Sequence, residues 1–188
     1  FLAGVRRING KDYILTLDLS SKDFTKTGKG VGDTYVNWID WVTDDLMLVS
    51  LSGYVDYRNG RQMTRQDVED WTEKSRKIPR KFTRLVSIER ATGKTVPMFG
   101  DSRALNQNYS LGRVTDFLPD DPEHILMPAR MNGDLDLFRV DVRDGSYERI
   151  AIGTDNTYSW FTDRNGEPAF RLNVNDRQTV VTIFARED

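Results

Sequence analysis

Short runs of alternating apolar and polar residues recur along the chain, with polar turns between them. The run at residues 85–99 turns at Gly93, and the run at residues 137–152 turns at Gly145. Alternation with a period of two predicts half-buried strands, and a glycine turn between two runs predicts antiparallel pairing. The pattern therefore predicts an all-β chain.

One sequence pattern occurs three times: an aromatic residue three positions before an Asp, followed by a polar turn and a second apolar run. The aromatic residues are Trp41, Phe117 and Trp160, and the last two are 43 residues apart. Phe138 and Val181, in the runs that follow, are also 43 residues apart. Because roughly 40 to 45 residues with four strands is typical of a propeller blade, the sequence predicts a partial β-propeller of four-stranded antiparallel blades.

The repeat also predicts the boundaries within this single domain. The expected parts are a half blade at 1–35, a blade at 36–99, a blade at 112–152 and an incomplete blade at 156–188. The expected strands of the two full blades lie near 36–42, 46–52, 83–90 and 94–99, and near 113–118, 124–129, 135–142 and 146–152. Trp38, Trp41, Phe117, Trp160 and Phe161 are expected to fill the space between neighbouring blades.

The first interval, from Trp41 to Phe117, is longer than the repeat, which predicts an insertion at residues 53–83. Thr64 before an acidic first turn resembles a helix N-cap, so we expect a helix near 64–77 that ends before Pro79. The mixed charges from Arg58 to Lys81 predict a solvated surface. Four apolar or aromatic residues of the insertion form a candidate contact surface: Tyr54, Tyr57, Met63 and Trp71.

Charge and composition exclude several classes of partner and location. The chain has 27 Lys and Arg against 29 Asp and Glu, a net charge of -2, and no basic cluster, so nucleic acid is not an expected partner. No apolar run approaches the roughly 18 residues of a membrane span, and the first residues do not form a signal peptide, so we expect a soluble chain. Because the chain contains no cysteine, the choice between cytoplasm and periplasm stays open.

Few residues suit catalysis. His124 is the only histidine, whereas metal centres and triad hydrolases generally draw on imidazole. Ser102, in the segment 100–104, weakly resembles a nucleophile elbow, but Ala104 replaces the second glycine and no strand-to-helix context surrounds it. The acidic segment 134–136 lacks the ligand spacing of a calcium loop. We therefore expect no catalytic residue, no cofactor-binding residue and no metal ligand in this chain.

Several phrases resemble a known family. VNWIDWVTDDLMLVS at residues 36–50, VTDFLPDDPEHIL at 114–126, FRVDV at 138–142 and FARE at 184–187 are similar to the N-terminal β-propeller of bacterial prolyl oligopeptidase-family serine peptidases, of the dipeptidyl-peptidase and acylaminoacyl-peptidase type. The resemblance implies that a C-terminal α/β-hydrolase domain with the catalytic triad follows in the full-length protein. It also implies a non-catalytic propeller that covers the active site and restricts access to short peptide substrates.

Two further expectations accompany this resemblance. A propeller can also act alone as a binding scaffold for a protein or small ligand, and fold by itself does not distinguish the two functions. The half blade and the incomplete blade would leave strand edges unpaired, so we expect the isolated chain to self-associate or to be only marginally stable.

Overall fold

The computed structural model describes residues 1–20, 26–56, 58–75 and 79–186, with the side chains of Lys26 and Ser75 outside the description. Its strands are β1 (Leu2–Ile8), β2 (Lys11–Leu17), β3 (Lys26–Gly30), β4 (Tyr35–Trp41), β5 (Leu46–Val55), β6 (Gln62–Met63), β7 (Arg80–Glu89), β8 (Thr95–Pro97), β9 (Ser110–Leu111), β10 (His124–Met131), β11 (Asp134–Asp141), β12 (Tyr147–Ala151), β13 (Thr157–Thr162), β14 (Pro168–Val174) and β15 (Val181–Ala185). Helix α1 spans Arg65–Ser75, and a 3-10 turn spans Leu105–Gln107.

The strands form four antiparallel sheets in two compact units, which divide after Thr95. The first unit holds the sheet β1-β2-β3 and a second sheet in which β5 lies between β4 and β7 and also pairs with β6. The second unit holds the sheets β10-β11-β12 and β13-β14-β15. The predicted all-β class is confirmed, and α1 lies within the predicted insertion.

One expected strand is missing from the described chain. Residues 113–118 make a single bridge, Asp116 to Leu126, in place of a strand. The chain turns there because Leu118 has a φ of 47° and the next residue is Pro119, which has no N–H to donate. The Leu118 N–H binds the side chain of Asp116 at 2.9 Å, which completes the turn. The prediction of a strand at residues 113–118 was wrong.

Each unit has its own apolar core. In the first unit, Ile14 of β2 packs with residues of β5 and β7: Met47, Val49, Val86 and Ile88. In the second unit, one cluster joins β10, β11 and β13 through Leu118, Leu126, Leu137 and Trp160. The apolar positions of the alternating pattern therefore lie between two sheets of the same unit.

The five aromatic residues predicted for the core have different environments. Trp160 is 7% exposed, and Trp41 packs against the core of the first unit. Phe117 and Phe161 are 40% and 38% exposed, so the prediction was wrong for these two. Phe161 follows Trp160 in β13, and successive side chains point to opposite faces of a sheet. It stacks on Phe170 with ring centroids 4.5 Å apart.

The helix of the insertion begins with the cap that the sequence predicted. The Thr64 hydroxyl accepts from the Asp67 N–H at 3.1 Å, and the Asp67 carboxylate accepts from the Thr64 N–H at 2.9 Å. This reciprocal pair satisfies two backbone donors at the start of α1. Met63 is buried, so it does not belong to an exposed contact surface. Tyr57 lies outside the described residues.

Lowering the pH is expected to destabilise the base of the insertion. Side-chain and backbone hydrogen bonds from Arg58 lower the pKa of Asp56 to about 2. Because the unfolded carboxyl has its ordinary, higher pKa, it binds a proton first as pH falls, and this stabilising contribution is lost between about pH 5 and pH 2. Urea unfolding at pH 6 and pH 3 should therefore show a smaller pH effect in Asp56→Asn than in the wild type. An equal pH effect in both proteins would contradict this assignment.

The exposed strand β15 is expected to mediate self-association. Within the described residues β15 pairs with β14 alone, and Val181 and Ile183 are 61% and 64% exposed. An apolar strand with one unpaired edge is a template for another strand. We predict concentration-dependent oligomers in sedimentation velocity and a shift toward monomer in the double variant Val181→Lys, Ile183→Lys. A wild-type monomer over the whole concentration range would contradict the prediction.

Candidate functional site

An open groove of about 730 Å³ lies on the second unit. We call it the basic groove. Its lining residues come from the segment before β10, from the β10–β11 hairpin and from β13: Ala104, Gln107, Asn108, Tyr109, Ser110, Arg113, Pro128, Arg130, Asn132, Gly133, Leu135 and Tyr158. The volume is in the range of ordinary ligand sites, which is about 300–1,000 Å³.

The first wall of the groove is held by Asn108. Its side-chain amide accepts from the Arg130 N–H at 2.8 Å and donates to the Arg130 carbonyl at 2.9 Å. The same amide donates to the Leu105 carbonyl at 2.7 Å, and the Leu105 side chain is fully buried. These contacts fix the segment before β10 against the end of that strand.

The second wall is a tight hairpin. Asn132 and Gly133 connect β10 to β11 with φ values of 55° and 100°. Two consecutive positive φ values are typical of a type I′ turn, for which Asn-Gly is the preferred sequence. The third wall is β13, whose Tyr158 is 65% exposed. Trp160 fixes β13 beside the hairpin by donating to the Leu135 carbonyl at 2.8 Å.

Two arginines border the groove, and both are oriented by neutral oxygens. Arg113 donates to the Ser159 hydroxyl at 2.7 Å. Arg130 donates to the Gly133 carbonyl at 2.6 Å and to the Asp155 carbonyl at 3.3 Å. Neither guanidinium forms an ion pair with a described residue, and the groove lining includes no Asp or Glu. The groove lining therefore contains two arginines and no acidic residue.

The two residues considered for nucleophilic chemistry are engaged in separate local contacts. Ser102 is buried, and its hydroxyl accepts from the Leu105 N–H at 3.2 Å at the start of the 3-10 turn. His124 begins β10, with Nδ1 2.9 Å from the Asp121 carboxylate. Hydrogen bonds from His124 and Arg139 outweigh burial and lower the pKa of Asp121. These are contacts of a turn and of a strand start, and they do not assemble a serine with an oriented base.

The acidic segment 134–136 is structural. Asp136 is buried, accepts from the Gly153 N–H at 2.8 Å and lies 3.2 Å from Arg149. In the part of the chain that the structure describes, no group of three or more His, Asp or Glu side chains could hold a metal ion. No helix there has the length and apolar character needed to cross a membrane.

The basic groove was not predicted from the sequence. Arg113, Arg130 and Tyr158 come from three separate segments, and each is an ordinary surface residue type within its own segment. The only part of the groove that the sequence indicated was the hairpin, since Asn132-Gly133 predicts a tight turn. The pair does not indicate which other residues lie beside that turn. The arrangement can bind an anion through the guanidinium groups and apolar or planar groups through the tyrosines.

Comparison with known proteins does not identify the chain: no protein-family model matches it, and no curated protein matches it.

Proposed function

We propose that the chain is the non-catalytic β-propeller segment of a bacterial serine peptidase of the prolyl oligopeptidase family. In this proposal it covers the active site and restricts access to short peptides. The observation that carries the proposal is the succession of four antiparallel sheets, each formed by strands that follow one another along the chain. That succession is what a repeat of about 43 residues requires of consecutive blades.

The side chains support a binding role rather than a chemical one. The single histidine and Ser102 are held in separate local contacts. The basic groove, by contrast, is open and has a volume that suits a ligand of a few residues. The serine, histidine and aspartate of the triad would come from a C-terminal α/β-hydrolase domain, which the family resemblance implies as the partner of this segment.

The size restriction is tested by the length dependence of hydrolysis. The whole gene product is incubated with blocked peptides of 4, 8, 16 and 32 residues that share one cleavage sequence. A propeller that covers the active site excludes long chains, so kcat/KM should fall steeply with length. Denatured casein, which needs no unfolding, serves as the long control. Equal kcat/KM for all lengths, or digestion of casein, would contradict the proposed role.

The alternative is a propeller that acts alone as a binding scaffold. The basic groove favours it equally, because binding an anionic ligand requires no hydrolase domain. The gene product separates the two: a peptide-hydrolysing protein supports the peptidase segment, and a protein that binds peptides but does not cleave them supports the scaffold.

A further inference from the structure

We propose that the basic groove selects short peptides that carry carboxylates. This inference rests on the proposed function in taking a peptide as the ligand, and it adds the class of peptide. The proposal is based on the position of two arginines, Arg113 and Arg130, at the border of one groove. Neither has a carboxylate partner among the described residues, and no acidic residue lines the groove.

Several arginines elsewhere in the described chain have a carboxylate partner, which the two groove arginines lack. Arg7, Arg139 and Arg149, for example, form ion pairs with Asp12, Asp121 and Asp136. The net charge of the whole chain is slightly negative. A local excess of positive charge in such a chain is complementary to an anionic ligand.

The hydrogen bonds of the two arginines leave donors for that ligand. A guanidinium has five N–H donors. Arg113 uses Nη2 toward Ser159, and Arg130 uses Nη1 toward Gly133 and Asp155. These contacts orient the planar groups without neutralising them, and a carboxylate can accept from the remaining donors. The nearby Asp155 carboxylate is engaged with the Asn156 N–H at 2.8 Å.

The remaining lining favours a peptide over a small inorganic anion. Tyr109 and Tyr158 are 43% and 65% exposed and offer planar apolar surface. Gln107 and Asn132 are exposed and offer amide donors and acceptors of the kind that pair with peptide groups. A phosphate ion would use the two arginines and leave the rest of the groove empty, whereas a peptide of three or four residues would occupy it.

The test measures binding to this chain by fluorescence anisotropy with three labelled peptides of equal length: acetyl-Glu-Ala-Glu-amide, acetyl-Gln-Ala-Gln-amide and acetyl-Lys-Ala-Lys-amide. The Glu peptide is expected to bind at least about tenfold more tightly than the Gln peptide, because hydrogen bonds to charged groups are the stronger ones. The preference should shrink as NaCl is raised. Equal affinity for the Glu and Gln peptides, or no binding of the Glu peptide, would overturn the proposal.

Variants assign the binding to the groove. Arg113→Gln is expected to weaken binding of the Glu peptide about tenfold. Arg130→Lys, which keeps the charge, should lose less than Arg130→Gln. Arg177→Gln removes the same charge from an exposed arginine outside the groove lining and should change affinity less than twofold. Circular dichroism verifies that each variant is folded. A preference for the Glu peptide that persists unchanged in Arg113→Gln and Arg130→Gln would overturn the assignment to this groove.

Competition distinguishes a peptide site from a simple anion site. Inorganic phosphate should displace the Glu peptide only at concentrations far above that of the unlabelled peptide. If phosphate displaced the Glu peptide at a concentration comparable to that of the unlabelled peptide, the groove would be a phosphate site and the proposed peptide ligand would be wrong. The outcome is separable from the proposed function, because binding is measured without hydrolysis. Failure of the peptidase assignment leaves the preference measurable, and loss of the preference leaves the length limit on hydrolysis untouched.

Discussion

Phe138→Ala is expected to lower the free energy of unfolding by about 3–5 kcal/mol, the usual cost of removing a buried Phe ring. Phe138 of β11 is fully buried and lies edge-to-face with Phe99 at 5.6 Å and with Tyr147 at 5.7 Å. Phe99 and Tyr147 also contact each other, at 5.3 Å. Removing Phe138 therefore breaks two ring contacts and leaves a cavity at the centre of the cluster.

Urea denaturation with tryptophan fluorescence measures this loss. Two controls accompany it: Phe138→Leu, which keeps most of the volume and should cost less, and Tyr158→Ala, which removes an exposed ring. The exposed ring should cost under about 1 kcal/mol, as surface substitutions usually do. If Phe138→Ala cost no more than Tyr158→Ala, the aromatic cluster would not stabilise the second unit.

Asp12→Ala is the second substitution with a large expected effect, about 1–3 kcal/mol of unfolding free energy, the usual cost of leaving buried polar partners unsatisfied. Asp12 of β2 is 2% exposed and receives hydrogen bonds from Arg7 at 2.7 Å and from the Val36 N–H at 3.2 Å. Arg65 of α1 lies 3.3 Å from the same carboxylate. Burial raises the pKa of Asp12, but the hydrogen bonds from Arg7 and Val36 and the charge of Arg65 outweigh it and lower the pKa.

The loss comes mainly from Arg65. Its side chain is 13% exposed, and its Nε has no hydrogen-bond partner among the described residues. The Thr34 carbonyl at 2.6 Å, the Gly10 carbonyl and the Tyr35 ring, whose centroid lies 4.0 Å from the guanidinium carbon, would remain as partners. Without Asp12 a largely buried charge lacks its counterion, so α1 should also become easier to cleave by protease.

Arg7→Gln is the matched control for Asp12→Ala. Arg7 is 61% exposed, so its ion pair is screened by solvent and should contribute little to the free energy of unfolding. The comparison by urea denaturation separates the buried charge of Arg65 from the exposed charge of Arg7. Equal effects of the two substitutions would show that Arg65 does not depend on Asp12.

Local patterns predicted the parts of the fold that depend on neighbouring residues. The alternation, the Thr64 cap and the turns at Gly93 and Gly145 are all local signals. Strands and a helix start occur where these signals predicted them, and both glycines have positive φ values. The strand expected at residues 113–118 failed for a local reason too. The extended chain is interrupted there by Leu118, whose backbone is left-handed. Leucine rarely adopts this conformation, so the residue type does not predict it.

The candidate site could not be predicted in the same way. Arg113 and Ser159 are 46 residues apart in the chain, and Asn108 and Arg130 are 22 residues apart. These contacts depend on how the segment before β10 and the strand β13 pack beside the β10–β11 hairpin. A single sequence contains no signal for that geometry, since each residue is compatible with an ordinary exposed surface.

Labelling with a fluorophosphonate probe tests whether this chain is the non-catalytic segment of a serine peptidase, because the probe reacts with an activated serine whatever the substrate. This chain and the whole gene product are labelled in parallel, and labelled peptides are located by mass spectrometry. We expect no label on this chain and one labelled serine in the gene product, outside residues 1–188. A label on Ser102 would contradict the non-catalytic role, and a folded gene product that takes no label and cleaves no peptide would contradict the peptidase assignment.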